Sequence, residues 1–187
     1  MKEQAGRRAP SKISGRAALV QWRRKQAREG RKVVFTNGCF DVLHRGHVEL
    51  LKRARREGDA LVVGLNGDDS VRRLKGAGRP LVNEEDRAEI LAALEMVDRV
   101  VIFREDTPGR IIEALLPDVL VKGGDYAMNE IVGRDAVERA GGKVVRVRLV
   151  PGRSTRGIID TVLERYRGAR AKIERRAAPK SKGKVRT

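Results

Sequence analysis

Apolar residues gather in short unbroken runs along the middle of the chain. The runs 32–36 (KVVFT), 60–65 (ALVVGL), 99–103 (RVVIF), 118–121 (DVLV) and 143–149 (KVVRVRL) are rich in Val, Leu and Ile. Their length and β-branched content predict buried strands. Between them the apolar spacing turns helical. Within 46–57, Val48, Leu51 and Ala54 fall on one face. Asn83 is placed to cap a helix over 84–95, and Glu84, Glu85 and Asp86 in its first turn suit the positive end of the helix dipole. Thr107-Pro108 marks another helix start, and that helix stops before Pro117. Further helices are predicted over 131–140, ended by Gly141-Gly142, and over 155–166. Ahead of the first strand, 15–29 reads as a helix with Ala18, Leu19, Trp22 and Gln26 on one face and Gly30 at its end. Trp22 is expected to anchor packing.

Continuous apolar strands alternating with helices predict an α/β fold: a Rossmann-like, five-stranded parallel sheet with helices on both faces. Ligands of such sheets bind beyond the carboxyl ends of the strands. The segments after residues 36, 65, 103, 121 and 150 should therefore meet at one crevice.

Composition narrows the class. The chain has 187 residues, enough for one domain with a proper core. One cysteine excludes an internal disulfide, and no apolar run nears the roughly 18–20 residues that span a bilayer. No leader-like stretch opens the chain. These features read as a cytoplasmic protein without membrane association. The net charge of +17 is uneven: residues 1–32 carry +9, residues 167–187 carry +8, and residues 33–166 hold 22 basic and 22 acidic side chains. The domains follow from this: a disordered basic segment 1–14, a folded domain 15–166 and a mobile basic tail 167–187. Basic ends can grip phosphate backbones without sequence preference, which keeps a non-enzymatic, nucleic-acid-binding reading open. The neutral body does not favour it.

Four segments carry candidate chemistry, and each follows a predicted strand. The first is Thr36-Asn37-Gly38-Cys39-Phe40-Asp41, continuing to His44-Arg45-Gly46-His47 at a helix start. Gly38 permits close backbone approach, the helix start offers unpaired N–H groups to an anion, and two imidazoles stand beside it. The competing readings are a capping loop with incidental histidines and a zinc site. The second needs three or four ligands, and only Cys39 and Asp41 lie nearby. No G-x-x-x-x-G-K-[ST] loop occurs. The second segment runs from Asn66 through Asp68 to Lys75 and Arg79, whose charges could neutralise a substrate phosphate or form a solvated basic loop. The third is Lys122-Gly123-Gly124-Asp125-Tyr126, where Asp125 could hold a sugar hydroxyl or a metal, or the glycines could merely turn the chain. The fourth, Gly152-Arg153-Ser154-Thr155-Arg156, opens the last helix, and Ser154 or Thr155 can cap it while binding phosphate.

TNGCFDVLHRGH at 36–47, RLKG at 73–76, VKGGDY at 121–126 and GRST at 152–155 together resemble the cytidylyltransferase-like HxGH nucleotidyltransferases. Within them the likeness is to the bacterial heptose-phosphate adenylyltransferase branch, over about residues 15–166. The resemblance implies that D-glycero-β-D-manno-heptose 1-phosphate attacks the α-phosphate of ATP, giving ADP-heptose and pyrophosphate without a covalent enzyme intermediate. It implies His44, His47 and Lys75 as catalytic residues. It implies nucleotide contacts from Thr36, Asn37, Gly38, Cys39, Phe40, Asp41, His44, His47, Lys122, Gly123, Asp125, Ser154 and Thr155, and substrate contacts from Asp68, Lys75 and Arg79. Mg²⁺ would be bound mainly through the triphosphate, with no dedicated protein ligands. A homodimer is compatible with it, and a separate heptose kinase would be expected. Arg156 departs from the Ser-Thr-Thr pattern. The enzymatic alternative is a cytidylyltransferase for glycerol 3-phosphate or another alcohol phosphate.

Overall fold

The computed structural model describes residues 11–124, 127–148 and 150–177. Five strands form one parallel sheet: β1 (Val33–Gly38), β2 (Ala60–Asn66), β3 (Arg99–Phe103), β4 (Val119–Gly123) and β5 (Lys143–Val147). Their order is β3-β2-β1-β4-β5. The chain builds outward from β1 to β3, then crosses back to lay β4 on the other side of β1. The carboxyl ends of β1 and β4 thus flank the switch point where such sheets hold ligands.

Alternation along the strands feeds two cores. Val34, Leu61, Val63, Leu65 and Val121 point to one face, under α2 (Arg45–Arg55) and α4 (Glu84–Ala93). Val33, Phe35, Val62, Val101 and Leu120 point to the other, under α1 (Arg16–Arg28), α5 (Gly109–Leu115) and α6 (Arg134–Arg139). Trp22 packs against the second core, with the Arg99 guanidinium 5.1 Å from its ring centre. Asn83 caps α4 by accepting from the Asp86 N–H. With aromatics so few, Val, Leu and Ile close both layers.

The structure departs from the sequence expectations in three places. Residues 68–75 form a helix, α3 (Asp68–Lys75), where a loop was expected. It is short and polar on average, and only Ser70 and Val71 are buried. Residues 11–14, assigned to the disordered N-terminus, run beside β3: Ile13 bridges to Val100, and the Val100 N–H donates to the Lys12 carbonyl at 2.9 Å. That edge of β3 is otherwise unpaired, so the segment gains backbone hydrogen bonds there. The last helix, α7 (Thr155–Ala177), continues past residue 166 into the expected tail. No helix among the described residues is long and apolar enough to cross a membrane.

Candidate active site

The site begins where β1 ends. Beyond Gly38 the backbone turns sharply, with Phe40 and Val42 both in the left-handed region at φ 45° and 52°. This strain carries the chain from the strand to the start of α2, where His44 is the N-cap. The His44 Nδ1 accepts from the Gly46 N–H at 3.1 Å, and the His47 Nδ1 accepts from the His44 N–H at 3.4 Å. Each ring thereby receives a proton donor at Nδ1, which places its own proton on Nε2. The rings stack with centroids 3.8 Å apart, and Phe40 lies 5.2 Å from the His47 ring. The motif thus presents two imidazole Nε2–H donors at a helix N-terminus.

Burial holds both rings neutral. Desolvation, then the neighbouring His44, pulls the His47 pKa down to about 4, and desolvation also lowers that of His44. In the free protein, His47 should therefore titrate near pH 4 by NMR. The unfolded chain protonates this histidine from about pH 6.5 downward while the folded one does not, so stability should be full above that pH and decline toward pH 4. A His47 resonance titrating near 6.5 would contradict the packing described. A bound polyanion should raise the value, because its negative charge favours imidazolium.

A second helix start faces the first. Ser154 caps α7 by accepting from the Gly157 N–H at 3.1 Å. The Thr155 hydroxyl donates to the Asp41 carbonyl at 2.7 Å, which binds the start of α7 to the loop after β1. The contact is close: a Cβ on Gly46 would lie 2.9 Å from the His44 ring and 3.2 Å from the Arg153 carbonyl. Gly46→Ala is expected to push the two helix starts apart and to destabilise the fold by about 1–3 kcal/mol, measured by urea unfolding. Wild-type stability would mean that their spacing is unconstrained. Two helix N-termini and two imidazoles converging on one spot favour a polyanion.

The carboxylates expected near ligand brace the protein. The Asp41 side chain has no exposure and accepts from Arg79 Nε and from the N–H groups of Leu81 and Val82. Burial raises its pKa, but these donors override it and hold the carboxyl below its ordinary value. Asp68 pairs with Arg87 at 2.6 Å. Lys75, at the exposed end of α3, is near enough for its charge to act on Cys39, whose thiol burial pushes up. Across β1 and β4, the Lys122 Nζ stands 3.4 Å from the Asn37 Oδ1, and burial depresses the Lys122 ammonium. The Thr36 side chain is fully buried, and Gly123 ends β4. Asp125 lies outside the described residues.

Sequence reasoning missed Arg87. It is 2% exposed and donates to three backbone carbonyls and one carboxylate around the crevice. A signal existed: Arg87, Ala88 and Leu91 share the buried face of α4, so an arginine occupies an apolar stripe.

Among the described residues, no group of three or more His, Cys, Asp or Glu side chains is arranged to hold a metal ion.

The chain is 56% identical over 156 residues to the bifunctional protein HldE of Syntrophotalea carbinolica, covering 83% of this chain and 32% of that protein. It is 63% identical over 131 residues to the bifunctional protein HldE of Mesorhizobium japonicum, covering 70% and 26%. The chain thus spans about a third of the length of the curated relatives it matches. Among solved structures, a lipopolysaccharide core biosynthesis protein from Thermoplasma volcanium superposes with a TM-score of 0.54 at 30% identity, over 65% of this chain and 98% of that one. The pantoate-β-alanine ligase of Francisella tularensis, at 14% identity and a TM-score of 0.55, covers 76% of this chain and 68% of its own, and shares the fold alone. The cytidylyltransferase-like family model matches residues 35–167, from β1 through the start of α7 and every segment of the site, and the chain belongs to that family.

Proposed function

We propose that this chain is an adenylyltransferase that joins ATP to D-glycero-β-D-manno-heptose 1-phosphate, releasing pyrophosphate and giving ADP-heptose. The observation that carries the reading is the stacked His44–His47 pair at the start of α2, opposite the start of α7. The combined TNGCFD, RLKG and VKGGDY segments support the heptose branch.

An oxygen of the sugar phosphate attacks the α-phosphorus of ATP, a new P–O bond forms there, and the bond to the β-phosphate oxygen breaks. The nucleophile is already anionic, so the site needs position and charge stabilisation more than a strong base. The Nε2–H groups of His44 and His47 would donate to the triphosphate as charge shifts toward the leaving pyrophosphate. The N–H groups at the start of α7, with Ser154 and Thr155, would hold a second phosphate. Asn37, Gly38, Phe40, Lys122, Gly123 and Asp125 would line the nucleotide side, and Lys75 would meet the sugar phosphate. Thr36, Cys39, Asp41, Asp68 and Arg79 would act from the crevice wall. The chain brings no carboxylate cage among its described residues. Mg²⁺ would arrive on the triphosphate, where it neutralises phosphate charge.

The reading is tested by pyrophosphate release with ATP or CTP against a panel of sugar and polyol phosphates. ATP with the heptose 1-phosphate should be the best pair. CTP with glycerol 3-phosphate as the best pair would replace it with the cytidylyltransferase reading.

A further inference from the structure

We infer that Arg87 is a positioning residue that locks the loop after β1 to the segment before α4, and so sets the distance between the two halves of the crevice. For its effect on turnover the inference rests on the reaction proposed above. Its effect on loop order is independent of that reaction.

The guanidinium reaches three separate pieces of the site. Its Nη1 donates to the Cys39 carbonyl, beside the strained turn that leads to His44, and to the Asn66 carbonyl at 3.0 Å, at the end of β2. Its Nε donates to the Val82 carbonyl at 2.9 Å, and its Nη2 pairs with the Asp68 carboxylate at 2.6 Å. Asp41 closes the circuit from the other side. Its carboxylate takes the N–H groups of Leu81 and Val82 and the side chain of Arg79. The loop after β1 and the segment before α4 are therefore joined twice, once through Arg87 and once through Asp41.

The chemistry requires arginine. Three carbonyls and a carboxylate in different directions match a planar fork with five donors, whereas an ammonium is a compact point charge. The group is almost wholly buried, so it remains in place only while its acceptors surround it. Two of those acceptors, the Cys39 and Val82 carbonyls, lie on segments that lead directly to His44 and to Arg79. Losing the fork frees both segments together and leaves the sheet beneath them intact.

Arg87→Lys keeps the charge and tests this directly by hydrogen exchange and turnover. Peptides covering 37–43 and 76–83 should exchange at least ~tenfold faster, while β2 and β3 keep their protection. Turnover should fall at least ~30-fold at saturating substrate, as expected when reacting groups lose their fixed geometry. Leu91→Ala, on the same helix and equally buried, is the comparison: it should lower the thermal midpoint without singling out the two loops. If Arg87→Lys does not fold, Asp68→Ala removes one acceptor of the fork and should move both readouts in the same direction by less. Unchanged exchange in the two loops, wild-type kcat, or the same loop pattern in Leu91→Ala would overturn the inference. Should the wild-type chain show no turnover with any donor and acceptor, the proposed reaction fails, and the exchange pattern alone decides the role of Arg87.

Discussion

His47→Ala is expected to lower kcat by at least ~100-fold with only a small change in KM for the nucleotide, the loss typical of one transition-state donor. The reason lies in how the ring is held. Its Nδ1 takes the backbone N–H of His44, its face stacks on His44, and Phe40 packs beside it. The imidazole is therefore set before substrate arrives, and its Nε2–H can stabilise developing charge without reorganisation. His47→Gln, which retains an N–H donor on a more flexible stem, should recover only part of the loss. Steady-state kinetics of both variants check this. A His47→Ala enzyme with wild-type kcat would remove His47 from the chemistry. His44 carries a second consequence when replaced, because it is also the N-cap of α2. The cost of losing that cap is typically ~1 kcal/mol, which should appear in the thermal midpoint.

Asp41→Ala is expected to destabilise the fold by about 3–5 kcal/mol, the range for removing one partner of a buried ion pair. The substitution leaves the N–H groups of Leu81 and Val82 without an acceptor and Arg79 without its counter-charge. A loss of that size is a large part of the ~5–15 kcal/mol that holds a typical domain. Urea unfolding measures it, and a change under ~1 kcal/mol would contradict the role. The same contact makes a pH prediction. Because the folded carboxyl is held below its ordinary value, its contribution is complete above the unfolded value of about 4 and is lost as pH falls through the lower folded value. Asp41→Asn should show less of this acid sensitivity, since the amide does not ionise.

Asp41 and Arg87 show where sequence and structure divide. Asp41 lies in a segment singled out from its motif, and Arg87 in a helix read only for its cap and first turn, yet the partners of both are far along the chain. Asp41 meets Arg79 and Val82, and Arg87 meets Cys39 and Asn66. One sequence contains no record of which distant backbone carbonyl will face a guanidinium. Lys75 and Arg79 looked alike as basic residues in the segment after the second strand, but tertiary contacts separate them. Lys75 stays exposed at the end of α3, while Arg79 is turned inward onto a carboxylate. The helical state of α3 was hidden by its shortness: eight residues that bury only Ser70 and Val71 offer too small an apolar stripe to stand apart from a polar loop.

The sequence alone determined the sheet, because runs of Val, Leu and Ile must be buried on both faces and each run is local. It also determined that the histidine motif follows a strand and opens a helix, since Gly38, His44 and Gly46 act on their own neighbourhood. Only the tertiary structure decided how the loops are held together around that motif. It placed the start of α7 against Gly46, set the two imidazoles in one stack and closed the Arg87 and Asp41 links. Those depend on buried polar groups finding partners many residues away, and burial is settled only when the whole chain has packed.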